Sequence, residues 1–409
     1  MKKIFLITIL TAAFSTANCL EYDEFMQQVV SANKSYLAEK HNIQIAEANI
    51  EAAGVVNDPE LSFGYGNNQD WNLGMGQTFE VGMSYAIPLG GTRRARIRVA
   101  KGEHQIATAE LADYLASLKA AAAEAFAAAW MAKQERMLAE ENFNIMNRIA
   151  VSDSARLALG DINMADAMQS AIEARTAHSA LIKADAEYRN ALLTLSMYIG
   201  GAMVDTIGEL PTEVMLLPTD DLRQLKIMAA ENRSDLLADS LRKQVSQQNI
   251  SLVRAERMPE FTLNAGYVHS NEVVNELAPA PKFDGFTVGF SIPLPFAAAN
   301  KGTMKAAQLE RLKSDYQYDA SAERVDAEVE QAYNRHKAAE TAMHEYDDQL
   351  LKNAHIILDA RAKGYYEGEW SLSELLMART TYIEVMRGYY EAAAERFIAS
   401  MALNRAIGK

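Results

Sequence analysis

The chain is written twice. Pro59-Glu60-Leu61-Ser62 returns as Pro259-Glu260-Phe261-Thr262, Val81-Gly82-Met83-Ser84 as Val288-Gly289-Phe290-Ser291, and Ile87-Pro88-Leu89 as Ile292-Pro293-Leu294, at offsets of about 200 to 207 residues. Further on, Gly160 matches Gly368, Asp166 matches Glu374, Leu195 matches Leu403 and Gly200 matches Gly408, all at an offset of about 208. Each copy alternates strand chemistry with helix chemistry: a helix, two amphipathic strands, then a long helical hairpin.

The strands are two-faced. Leu61, Phe63 and Tyr65 alternate with Ser62, Gly64 and Gly66, and Phe79, Val81, Met83, Tyr85 and Ile87 alternate with Thr78, Glu80, Gly82, Ser84 and Ala86. The second copy sets Phe261, Leu263, Ala265 and Tyr267 against Thr262, Asn264 and Gly266, then Phe286, Val288, Phe290 and Ile292 against Thr287, Gly289 and Ser291. A period of two puts each set on one face. One face is apolar with aromatic ends and the other is small and polar, which fits a strand between lipid and a watery lumen. The same alternation also fits a half-buried sheet in a soluble protein.

Export weighs on the choice. Lys2 and Lys3 precede the apolar run Ile4 to Phe14, followed by Ser15, Thr16 and Ala17, so residues 1–19 read as a secretory signal too short to span a membrane. No later stretch supplies the roughly 18 uninterrupted apolar residues of a spanning helix. An exported chain of this kind that enters a bilayer must do so as a closed barrel, because strand edges exposed to lipid leave backbone groups unpaired. Four strands cannot close one. Two chains would supply eight, a size whose interior fills with side chains, whereas three would supply twelve and leave a bore.

The remainder is helical. From Thr92 to about Ala150 there is no proline, and Ala, Glu, Lys, Leu and Arg dominate, which predicts a helix on the order of 85 Å long. A break is expected over Ser152 to Asn163, around Gly160, before a second helix from Met164 to Gly200. The second copy predicts a helix from Gly302 to about Glu345, a break over Gly364 to Ser371 containing Gly368, and a helix from Leu372 to Ile407. Helices this long need partners for their apolar stripes, and Ala127, Ala128 and Ala129 permit close approach, so coiled-coil packing in a rod or tube follows.

The order of signal, helix, strand pair and long hairpin, repeated once, resembles the TolC family of trimeric outer-membrane efflux ducts over essentially the whole mature chain. Within it, Asn57-Asp58-Pro59-Glu60-Leu61-Ser62 and Pro88-Leu89-Gly90-Gly91-Thr92-Arg93-Arg94-Ala95-Arg96 are similar to the segments that flank the strands in the CzcC branch, the exit ducts of metal-exporting resistance-nodulation-division pumps. The resemblance implies a mainly α fold with a small membrane β part, a coiled-coil barrel joined to a trimeric barrel of twelve strands, four from each chain. It implies barrel pieces at 58–87 and 259–295, periplasmic helices at 20–57, 88–258 and 296–409, and a helical body in the periplasm. The implied partners are two further copies of the chain, a periplasmic adaptor, an inner-membrane pump and outer-membrane lipid. The duct passively conducts what the pump delivers, whether metal cations, drugs or secreted protein.

The resemblance also implies roles for particular residues. Gly160 with Leu157, and Gly368 with Tyr365, fall at the turns that touch the adaptor. Glu374 stands where an inward acid of the periplasmic entrance is expected, although the next position of that pattern is Met377. A plain first-turn glutamate is the other reading of Glu374. Cys19, the lone cysteine, sits where a lipoprotein signal places its acylated residue, but Asn18 departs from the small residue expected before it, so cleavage after Ala17 or Cys19 by the ordinary peptidase is the alternative.

Other functions find little in the chain. A net charge of −14 argues against nucleic acid. There is no phosphate loop, zinc pair or nucleophile elbow, so neither an enzyme nor a cofactor is expected. His336, Glu340 and His344 share one helix face and the methionines include Met164, Met168 and Met377, but a solvated stripe and coiled-coil packing account for both. The cluster Arg93, Arg94, Arg96 and Arg98, directly after a strand, reads either as a membrane-interface anchor or as a solvated helix start. An exported coiled-coil stalk with a barrel anchor is the competing architecture, and it would not need hairpins that break at equivalent glycines.

Overall fold

The computed structural model describes residues 19–67, 71, 76–211, 221–294 and 301–409. The expected signal lies outside these residues except for Cys19. The chain forms two compact units, one of residues up to Ala38, Asp113–Arg233 and Val325–Lys409, the other of Glu39–Ala112 and Ser234–Arg324.

The second of these units holds the sheet. Strands β2 (Glu60–Asn67), β3 (Gln77–Pro88), β5 (Glu260–Ser270) and β6 (Phe283–Ser291) pair antiparallel in the order β2-β3-β5-β6, so each copy contributes one hairpin. The register places Phe63 opposite Val81, Val81 opposite Tyr267 and Tyr267 opposite Phe286, and one row below it Leu61, Met83, Ala265 and Val288. Ser62, Gly82, Gly266 and Thr287 form the matching row on the other face. Alternation therefore aligns across all four strands. Phe63, Phe286 and Val288 are 75%, 85% and 87% exposed. A soluble half-buried sheet would cover that face with its own chain, and this one does not. Among the described residues, strands β2 and β6 each pair on one side only, leaving two open edges.

Helix α6 (Ser234–Glu256) packs beside the first part of α3 (Thr92–Leu159), where a side chain at Gly102 would run into Val245. Arg242 bridges Glu110 and Asp239, and Ser321 of α7 (Lys301–His344) donates to Asp239 at 2.5 Å. Helix α2 (Lys34–Ala53) crosses from one unit into the other, and Arg93 donates to the carbonyl at its end, Gly54.

In the other unit the duplication is visible in the core. Phe25 and Val29 of α1 (Tyr22–Ala32) cluster with Leu195 of α4 (Met164–Tyr198) and the adjoining Ile199. Leu225 and Ala229 of α5 (Leu222–Asn232) cluster with Leu403 of α9 (Leu372–Ala406) and Ile407 in the same way. The alanine-rich run of α3 serves the close packing expected of it. Ala127 and Ala129 are fully buried beside Phe126, while Ala128 faces out. A short parallel ladder joins β1 (Cys19–Leu20) to β4 (Thr206–Ile207).

One helix boundary differs from the sequence reading, and one helix lies where none was assigned. Helix α3 runs on to Leu159, nine residues or so beyond the expected end near Ala150, because Asp153 turns inward to a tertiary partner instead of competing for the local backbone. In the second copy the stretch after Glu345, which the sequence reading left unassigned, is helical. Asp347 caps a further helix, α8 (Asp348–Glu367), by accepting from the Leu350 amide at 2.7 Å. The break between α7 and α8 is at residues 345–347. His336 is also settled by packing: it is buried, 3.1 Å from the Ser400 hydroxyl, and among the described residues no cluster of His, Cys, Asp and Glu has the geometry of a metal site.

Candidate functional site: the paired hairpin turns

Both long hairpins end in one kind of turn. Gly160 and Gly368 have φ of 82° and 80°, in the left-handed region where a Cβ is disfavoured. The Gly160 amide donates to Leu157 and the next amide, Asp161, reaches back to Arg156. In the second copy Gly368 donates to Tyr365 and Glu369 to Gly364. These are the two crossed bonds that close a helix over a left-handed residue. Three residues on, a cap starts the returning helix. Asn163 accepts from the Asp166 amide at 2.9 Å, and Ser371 accepts from the Glu374 amide at 3.3 Å.

The flanking side chains are less alike. Glu374 completes a reciprocal cap, accepting from the Ser371 amide at 2.9 Å and from its hydroxyl at 2.8 Å. The Ser371 amide and hydroxyl, with Arg361 at 3.8 Å, hold the Glu374 carboxyl below its ordinary range. Arg361 also lies 3.6 Å over the ring of Trp370, and that indole sits on Gly364, where any side chain would collide with it. Around the first turn, Leu157 and Leu159 are 37% and 78% exposed.

The two turns are tied together. Tyr365 extends from the end of α8 to Asp153 of α3, its hydroxyl 2.8 Å from both carboxylate oxygens. Asp153 is fully buried and Tyr365 nearly so. Arg156 stands 3.8 Å from Asp153, 3.4 Å from the Tyr365 carbonyl and over the Tyr365 ring. Burial, then the hydrogen bond to Asp153, pushes the Tyr365 phenol above its ordinary range. A buried carboxylate is tolerable only with such partners. Beside this contact an open groove of about 760 Å³ runs between α3 and α8, with Glu140, Glu141, Arg148, His355 and Asp359 on its walls.

Tyr365 corrects the sequence reading. Placed at the turn as a docking residue, it is a core residue whose hydroxyl is consumed by Asp153, and the exposed aromatics there are Tyr366 and Trp370, at 46% and 38%. Gly160, Gly368 and Leu157 do lie at the turns. Glu374 is not a free carboxylate, and Met377 beside it is exposed. Cys19 is an exposed free thiol in β1. The sequence reading missed Asp153 and Arg156. The signal was present, since Asp153 follows Met146 and Ile149 at helical spacing on a buried stripe.

The profile of the outer membrane efflux protein family matches residues 25–201 and 227–409, both copies of the repeat. The chain belongs to that family. It is 23% identical over 393 residues to the cobalt-zinc-cadmium resistance protein CzcC of Cupriavidus metallidurans, covering 96% of this chain and 91% of that one. Among solved structures it is similar to CusC, with a TM-score of 0.75 at 16% identity over 94% of this chain and 91% of that one. The outer-membrane channel OprN gives a TM-score of 0.75 at 17% identity, over 94% of this chain and 89% of that one. As a member of the family, the chain is an outer-membrane efflux channel with its helical body in the periplasm, and the relatives it matches are channel proteins.

Proposed function

We propose that three copies of this chain close a twelve-stranded barrel across the outer membrane and conduct divalent metal cations handed over by an inner-membrane resistance-nodulation-division pump and a periplasmic adaptor. The observation that carries the assembly is the sheet: four strands, an uncovered apolar face and two open edges per chain, which lipid forbids unless neighbouring copies pair them. Residues 58–87 and 259–295 are then the membrane pieces, and 20–57, 88–258 and 296–409 the periplasmic ones. Likeness to CzcC over nearly the full length supports the metal cargo. An acidic chain, with a net charge of −14, is compatible with a passage for cations.

The turns at Gly160 and Gly368, with Leu157 and Leu159 exposed beside the first, are the surfaces offered to the adaptor. Glu374 acts as a gate acid only through its pair with Arg361, so release of that pair would expose a ring of three carboxylates. Cys19 is exposed and available for acylation at the start of the mature chain.

Mass measurement of the detergent-solubilised protein should give three chains, in the outer-membrane fraction. A strain lacking the gene should become sensitive to zinc, cobalt or cadmium, with resistance restored by the parent sequence. A soluble monomer after signal removal would overturn the barrel. Unaltered metal tolerance alongside new sensitivity to organic antibiotics would overturn the cargo and leave the channel standing.

A further inference from the structure

Where the sheet meets the helices, the chain collects exposed arginines, several with no partner among the described residues. Helix α3 begins four residues or so beyond the end of β3 at Pro88, and Arg93, Arg94, Arg96 and Arg98 are all exposed on its first two turns. Arg93 is held by the Gly54 carbonyl and Arg96 by Glu256 at 3.3 Å. Arg94 and Arg98 make no hydrogen bond or ion pair among the described residues. Arg254, in the last turn of α6, and Arg257, just before β5, are likewise exposed and unpaired. All belong to one place. Pro88 is opposite Glu260 in the sheet, and a side chain at Gly90 would run into the Ala255 carbonyl and the Met258 side chain.

Elsewhere many guanidinium groups are spent on carboxylates: Arg136 on Asp185, Arg242 on Glu110, Arg335 on Glu395 and Arg387 on Glu135. The exposed arginines with no side-chain partner among the described residues elsewhere, Arg148, Arg175 and Arg223, are scattered singly along the chain, whereas these four cluster at one level, in a chain whose net charge is −14. Exposed apolar side chains accompany them. Leu89, just after β3, and Met258, just before β5, are 53% and 54% exposed beside these arginines.

We infer that this belt of Arg94, Arg98, Arg254 and Arg257 binds the anionic headgroups of phospholipids in the periplasmic leaflet of the outer membrane. Charge complementarity and continuity with the lipid-facing strands choose that occupant. The headgroup layer adds about 5–8 Å to each side of the hydrocarbon core. At 1.5 Å per residue, Arg94 and Arg98 lie within about 10 Å of the start of α3 at Thr92, and long arginine stems can reach back toward the interface while Leu89 and Met258 enter it. Guanidinium groups suit this task because their fork matches two phosphate oxygens at once. The belt would fix how deep the barrel sits, which the apolar face alone leaves free to slide.

The test compares the full-length protein in neutral detergent micelles doped with dioleoyl phosphatidylglycerol or dioleoyl phosphatidylcholine, reading bound lipid by native mass spectrometry. The parent should retain phosphatidylglycerol over phosphatidylcholine by roughly tenfold or more, as expected when several cations each contribute near an anionic surface. The preference should fall as salt rises. The R94Q/R98Q/R254Q/R257Q variant should lose it, while R175Q/R223Q, which removes exposed arginines far from the strands in the sequence, should keep it. Equal retention of the two lipids by the parent overturns the inference, and that measurement needs no variant to fold. A quadruple variant that keeps the preference, or that loses its oligomer while inorganic phosphate alone restores it, overturns it as well.

Discussion

The two hairpins of the repeat end in the same turn and arrive at it differently. In the first copy one continuous helix, α3, reaches Leu159, whereas in the second the chain breaks at residues 345–347 and restarts from the Asp347 cap. At equivalent positions the first copy carries Leu157, partly exposed, and the second Tyr365, buried with its hydroxyl on Asp153. The first cap is a single Asn163 bond with its amide turned to Asp166. The second is a reciprocal Ser371–Glu374 cap stiffened by Arg361 and Trp370. Duplication preserved the backbone closure, which depends on glycine and caps, and let the side chains diverge. The second copy became the one that grips the other.

Truncating equivalent residues should therefore give unequal losses. Tyr365→Ala removes a buried ring and strands the Asp153 carboxylate, so it should destabilise the turn region by about 3–5 kcal/mol. Leu157→Ala, at the matching exposed position, should cost about 1 kcal/mol or less. Hydrogen exchange at the ends of α3 and α8 would separate the two, and equal protection losses would break the comparison.

Tyr365→Phe isolates the hydroxyl and should cost about 1–3 kcal/mol, because among the described residues Asp153 then keeps only Arg156. The phenol also provides a pH signature. Its value is raised in the fold, so its contribution is fully present below the ordinary value of 10.0 and is lost as the pH climbs from there toward the raised value. Alkaline titration of the parent should loosen the turn region in that window. The Phe variant should lack this component, and an identical alkaline loss in both would remove Tyr365 from the account.

Backbone substitutions should treat the copies alike. Gly160→Val and Gly368→Val each force a branched residue into a left-handed conformation, at about 1–2 kcal/mol. The Asn variants should lose less, because asparagine tolerates that region. No atom lies within 4 Å of the Cβ site at either glycine, so a large difference between Val at the two sites would point to a contact made only in the assembly.

The caps should give the smallest effects. Ser371→Ala is expected to cost about 1 kcal/mol, with Asn163→Ala near the same value. Glu374, whose carboxyl is lowered, stabilises its helix start at neutral pH, and that contribution is lost as the pH falls below its ordinary 4.5 through the lowered value. Glu374→Gln should flatten this acid limb without changing the alkaline one. An unchanged acid limb would mean the reciprocal cap is not maintained in solution.

Much of this was readable in the residues, for physical reasons. A strand has period two, so Phe63, Val81, Tyr267 and Phe286 announce a common face before any register is known. A left-handed turn selects glycine, so Gly160 and Gly368 mark the hairpin ends. The end of α7 near Glu345 was read as well, but the restart of helix at Asp348 was not, since Glu345, Tyr346 and Asp347 include neither glycine nor proline to mark a turn. Its cap depends on one aspartate that could equally have stayed in the helix.

By itself, then, the sequence determined what is periodic or locally enforced: two copies, four two-faced strands, long helices and the turns between them. Tertiary structure decided what depends on distant neighbours. Tyr365 is a core residue because Asp153, some two hundred residues earlier, is buried within reach of its hydroxyl. The Ser371–Glu374 cap is local, but only folding brings Arg361 of α8 to the Glu374 carboxyl. Arg94 and Arg96 share one sequence cluster, and only folding brings Glu256 to one of them and leaves the other free. Local pattern carries no information about which far segment will supply the opposite charge, the donor or the open space.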